Sequence, residues 1–111
     1  MIDLSQLITA EQKQQDAATT ALATLTAVIQ SHLDSTAKTR GYDGILSLCS
    51  YASSTNSKFS REALAGVIWR DAVWTAGYAI QAAVTAGTRA IPSESELLAE
   101  LPVMTWPTPQ P

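Results

Sequence analysis

A chain of 111 residues, 46% of them hydrophobic and 15% charged, holds one domain that buries roughly two thirds of its unfolded surface, and is too short for two. Its net charge is −3 and its seven Lys and Arg residues are scattered, so no basic stripe is available to neutralise a phosphate backbone and nucleic acid is not an expected partner. The single cysteine, Cys49, excludes an intramolecular disulfide and a Cys-rich metal site, and reads as a small buried apolar residue.

The N-terminal stretch MIDLSQLITAEQK carries Asp3 and no basic residue ahead of an apolar run, so it does not read as a signal peptide. Residues 1–8 are expected to form a connector, 9–101 a helical domain, and 102–111 an extended Pro-rich tail. From Thr9 onward Ala18, Leu22, Leu25, Ile29 and His32 recur at helical spacing, which predicts a first long amphipathic helix. Thr9 and Gln12 resemble a capping box at its start, and Lys38, Arg40 and Gly41 supply a stop.

Asp43 is a candidate N-cap for a short helix containing Ile45, Leu46, Leu48, Cys49 and Ala52, which gives way to a polar turn over Ser53 to Ser57. A third helix, about Phe59 to Ala86, has apolar or small residues nearly all round, the pattern of an element covered on several sides. Gly87 suits a left-handed C-terminal cap and Pro92 forbids simple continuation. Ser93 and Glu96 form a second capping box before LLAEL, a last short helix ended by Pro102. PVMTWPTPQP then excludes helix and predicts a polyproline-like run with Trp106 as its large anchor. The expected fold is all-α: two long antiparallel helices plus two short ones, with that extended tail.

The uncharged stretches Ala17–Leu33 and Ala72–Thr88 are diluted by Thr, Gln, Ser and Gly, so no membrane span or membrane partner is expected. His32 has neither a second histidine nor a cysteine at ligand spacing, the carboxylates do not pair as an acid–base couple, and no glycine-rich phosphate loop occurs. The reading is therefore non-catalytic, with no metal and no cofactor. Sparse charge instead favours a bound partner or a homo-oligomer, and Ala65, Gly66, Ala72, Ala76 and Ala83 permit close helix approach.

VIWRDAVW places Arg70 and Asp71 side by side between Trp69 and Trp74. On a helix adjacent residues point about 100° apart, so the two charges are not expected to answer each other. Either they occupy a solvated strip while both tryptophans enter the core, or they reach charges on neighbouring helices, with Arg40, Lys38 or Lys58 available to Asp71. Arg70 could also stack on Trp74. In CSYASSTNSKF, Tyr51 and Phe59 flank a polar turn that reads either as a partner-binding loop or as a cap in which Asn56 or Ser57 starts the third helix.

The ordered blocks RGYDGILSLCSYASSTNSKF, WRDAVWTAGY, GTRAIPSESELLAELP and WP, spanning Thr36 to Pro107, resemble a small helical module of phage and prophage tail regions. In larger relatives such a module follows another domain through a connector similar to IDLSQLITAEQ. The resemblance implies assembly or attachment of a tail fibre by protein–protein binding, in the host cytoplasm, or else permanent residence in the virion tail. No catalytic residues come with it. The candidate residues for partner binding or structure within these blocks are Tyr42, Asp43, Tyr51, Asn56, Phe59, Trp69, Arg70, Asp71, Trp74, Tyr78 and Trp106.

Overall fold

A computed structural model describes the backbone of residues 4–108 and the side chains of that span from Gln12 onward, those of 14 and 15 excepted. The fold is all-α, with no strand among the described residues: α1 (Leu4–Lys38), α2 (Ile45–Ser50), a single 3₁₀ turn (Tyr51–Ser53), α3 (Ser57–Thr85) and α4 (Glu94–Glu100). Residues 102–108 have no regular secondary structure. The remainder of the expected tail, 109–111, and the first three residues of the expected connector lie outside the described residues.

α1 starts earlier than its sequence signals indicate. The helix runs unbroken through Thr9 from Leu4, so Thr9 is an interior residue rather than a cap and residues 4–8 belong to the helix. Nothing in LSQLI breaks a helix, since Leu and Gln are good formers and neither Gly nor Pro intervenes. Of the described α1 side chains before Ala18, those of Gln12, Lys13, Asp16 and Ala17 are exposed. Beyond them the stripe Leu25, Ile29, Leu33 and Ala37 is buried. The helix stops as expected at Gly41, whose φ of 87° suits a residue without Cβ.

The start of α2 overturns the assignment of Asp43. The N-cap position is Gly44, which has no side chain to cap with, and Asp43 is exposed. The Ile45 N–H instead donates to Asp34 Oδ1 of α1 at 2.9 Å. A carboxylate one helix away satisfies a terminal donor that a local residue would otherwise serve. α3 and α4 begin where local chemistry directs: Asn56 Oδ1 accepts from the N–H groups of Lys58 and Phe59 at 3.0 and 3.2 Å, and Ser93 and Glu96 form a reciprocal capping box. Gly87, at φ 76°, closes α3.

Leu25, Ile29, Leu33, Ile45, Leu48, Trp69, Val73, Ile80, Leu97 and Leu101 make one core. Leu33, Leu48, Val73 and Leu97 are fully enclosed, and burying each contributes about 1.5–3 kcal/mol. Two glycines bring α3 close to its neighbours. A Cβ at Gly66 would lie 2.6 Å from Leu48 Cδ2, and one at Gly77 would lie 2.9 Å from Ile29 Cδ1. Gly66 therefore serves packing inside the monomer, not a subunit contact. Nor is α3 covered all round, because Leu64, Ile68 and Tyr78 are each more than half exposed.

Candidate functional site

Where α1 ends and α3 begins, three aromatic side chains from separate elements meet. Tyr42 follows the Gly41 turn, Tyr51 opens the 3₁₀ turn, and Phe59 sits in the first turn of α3. Tyr42 and Tyr51 pack edge-on with ring centroids 5.6 Å apart, and Tyr51 and Phe59 do so at 5.5 Å. Such pairs add about 0.5–1.5 kcal/mol each beyond the area they bury. Tyr51 and Phe59 keep part of their rings in solvent. The Asn56 cap fixes where Phe59 leaves the turn.

Glu62 lies behind this row and is only 5% exposed. Its Oε1 accepts from the Tyr42 hydroxyl at 3.1 Å and its Oε2 from Arg40 at 3.4 Å, so both oxygens of a buried carboxylate are satisfied. Burial first, then the Glu62 charge and the hydrogen bond to it, push the Tyr42 hydroxyl up to about 12 from its ordinary 10.0, against a smaller opposing pull from Arg40. Arg40 also lies 4.8 Å over the Trp106 ring, a cation–π contact worth roughly 0.5–1 kcal/mol at a partly exposed position.

The segment after α4 is pinned along α3. Trp69 Nε1 donates to the Pro102 carbonyl and Arg61 to the Thr108 carbonyl, both at 2.7 Å, with Trp106 held by Arg40 between them. Arg40, Lys58, Arg61, Glu62, Pro107 and Thr108 line a cleft of about 270 Å³ at this end. Tyr42, Tyr51, Asn56, Phe59 and Trp106, all singled out from sequence, converge here. Asp43 is exposed and takes no part in these bonds.

WRDAVW lies farther along α3 and behaves differently from its sequence expectation. Arg70 and Asp71 do answer each other, at 3.5 Å, because the long arginine side chain bends back to its neighbour. Asp71 is exposed, with 67% of its side chain in solvent. Arg40, its proposed partner, is engaged by Glu62, and Lys38 and Lys58 form no ion pair among the described residues. The Arg70–Trp74 stack is absent as well: Trp74 tilts against Tyr78 at 5.9 Å. Trp69 is buried, with His32 edge-on at 5.7 Å, while Trp74 is only half-buried. Cys49 is half-buried against the core, and burial raises its thiol pKa.

Glu62 and Asp34 carry structural duties that sequence reasoning missed. A signal for Glu62 was present, since 62, 66, 69, 73, 77 and 80 follow helical spacing and are the buried stripe of α3. No comparable signal marks Asp34, whose partner is set by the approach of two helices. Among the described residues no group of three or more His, Cys, Asp or Glu side chains is placed to hold a metal ion, and no helix is long and apolar enough to cross a membrane. Compared with protein-family models, curated proteins and solved structures, the chain matches none.

Proposed function

We propose that this protein is a docking module that acts by protein–protein binding in the assembly or attachment of a phage tail fibre, without catalysis of its own. The observation that carries the reading is the gathering of Tyr42, Tyr51 and Phe59 from one block of the resemblance and Trp106 from another, far along the chain, around one partly exposed end. Half-exposed aromatics beside a charged cleft are the surface chemistry that protein interfaces favour. The architecture proposed for the module is an antiparallel pair of long helices closed by two short ones, with an extended Pro-rich tail laid along α3. His32 meets Trp69 while Ile29 meets Gly77, so the contacts retreat along α1 as they advance along α3. That order supports the antiparallel reading.

A second reading, permanent residence in the tail or fibre, is favoured by apolar surface outside the aromatic end: Ile68 and Val103 are 71% and 87% exposed. A lasting interface would cover them. Mass spectrometry of purified particles and of immature fibre separates the two. Presence with immature fibre and absence from virions supports a cytoplasmic chaperone; a fixed stoichiometry in virions supports a subunit. Absence from both rejects the tail assignment.

A further inference from the structure

The cleft beside the aromatic row has a charge opposite to that of the chain. Against a net −3, it gathers Arg40, Lys58 and Arg61 from a total of seven Lys and Arg residues. Its one carboxylate, Glu62, is committed: both oxygens are bonded, to Tyr42 and to Arg40, and its side chain is 7% exposed. Lys58 and Arg61 have no carboxylate within ion-pair distance among the described residues. Arg61 uses one nitrogen on the Thr108 carbonyl, which orients the guanidinium and leaves its other donors available. Among the described residues, two positive charges thus line the cleft with no carboxylate paired to them.

We infer that this cleft is a carboxylate-binding site that takes an acidic side chain from a partner protein, with the apolar neighbour of that side chain resting on Tyr51 and Phe59. A volume of about 270 Å³ lies just below the roughly 300–1,000 Å³ of ordinary small-ligand sites, so it suits one side chain better than a whole cofactor. A guanidinium anchored through one nitrogen on the Thr108 carbonyl keeps further donors that match a planar carboxylate, and the lysine adds a point charge. The adjoining rings are partly exposed, which favours a peptide with an apolar residue next to its acid over a bare anion. This assignment rests on the docking function proposed above and gives that docking its chemistry.

The test uses the full chain and a short synthetic peptide with paired glutamates beside a phenylalanine, followed by calorimetry and by tryptophan fluorescence. The controls are the same peptide with glutamines, and inorganic phosphate. Lys58→Glu is the informative variant, because Lys58 is exposed in the first turn of α3 and a negative charge there favours the helix; Arg61→Lys, which keeps charge but loses the fork, is the second. The glutamate peptide should bind, weaken with added salt, and lose about tenfold or more in affinity with Lys58→Glu. Equal binding of the glutamine peptide, or no change with either variant, overturns the site. Phosphate binding as tight as the peptide overturns the peptide assignment. Peptide binding that persists in a protein found with neither fibre nor virion rejects the tail function alone. Fibre capture that Lys58→Glu leaves intact removes this cleft from the docking surface.

Discussion

Asp34 of α1 caps α2: its Oδ1 accepts the Ile45 N–H at 2.9 Å, in place of the Asp43 side chain that precedes that helix. Asp34→Ala should therefore cost about 0.5–2 kcal/mol, the usual worth of a capping side chain. Asp43→Ala should change stability by less than about 0.5 kcal/mol, as exposed substitutions do. Chemical denaturation of the two variants checks the assignment, and a reversed order would restore the local cap.

The two close-approach glycines should differ under the same substitution. In Gly66→Ala the new Cβ meets Leu48 Cδ2 at 2.6 Å and its branching Cγ at 2.9 Å, whereas in Gly77→Ala it meets the terminal Cδ1 of Ile29. Overpacking costs about 1–3 kcal/mol, and Gly66→Ala should fall in the upper half of that range. Ile29 can rotate its end away, so Gly77→Ala should cost less. Equal thermal midpoints would contradict the contact geometry.

Leu25 and Leu33 test the α1 stripe against α3. Leu33 is completely enclosed and Leu25 nearly so, and truncation to Ala should cost about 2–5 kcal/mol, more for Leu33. An unchanged melting temperature for Leu25→Ala would remove it from the core.

Of the ion pairs that involve α3, Arg40–Glu62 is structural and Arg70–Asp71 is largely solvated. Arg40→Gln leaves the buried Glu62 with Tyr42 alone and removes the Trp106 stack. Because 43% of the Arg40 side chain is exposed, the cost should be about 1–2 kcal/mol rather than the 3–5 kcal/mol of a fully buried pair. Asp71→Asn should stay within about 0.5 kcal/mol. The double variant should be additive, since the two residues share no partner; coupling measured in a double-mutant cycle would refute the separation.

Tyr42 should ionise late. Its hydroxyl is raised to about 12 from 10.0, so the folded state holds its proton more tightly than the unfolded chain. The stabilisation is complete below about pH 10 and is lost as pH rises through about 12. Tyrosinate absorbance should show a titration phase near pH 12 that Tyr42→Phe abolishes. A titration curve unaltered by that substitution would place Tyr42 away from Glu62.

Helix punctuation was legible where caps and stops act over a few neighbouring residues: Asn56, Gly41, Gly87 and the Ser93–Glu96 pair serve the ends they mark, whereas Thr9 falls inside α1 and Asp43 is not the cap of α2. The core face of α1 was equally plain, since Leu25 and Ile29 repeat at helical spacing. Reading stopped at interactions between elements. Periodicity says that a residue faces inward but not which side chain it meets there, so Asp34 as the cap of α2, Glu62 as the joint partner of Arg40 and Tyr42, and Trp106 under Arg40 were set only when α1, α2, α3 and the following segment came together. The Arg70–Asp71 contact was not expected, for a related reason. Backbone direction places those residues apart, but a half-buried arginine is long enough to fold back on its exposed neighbour when no buried carboxylate claims it. Short-range backbone chemistry fixed the elements; the distances that only packing can set decided which charges are paired and which aromatic rings meet.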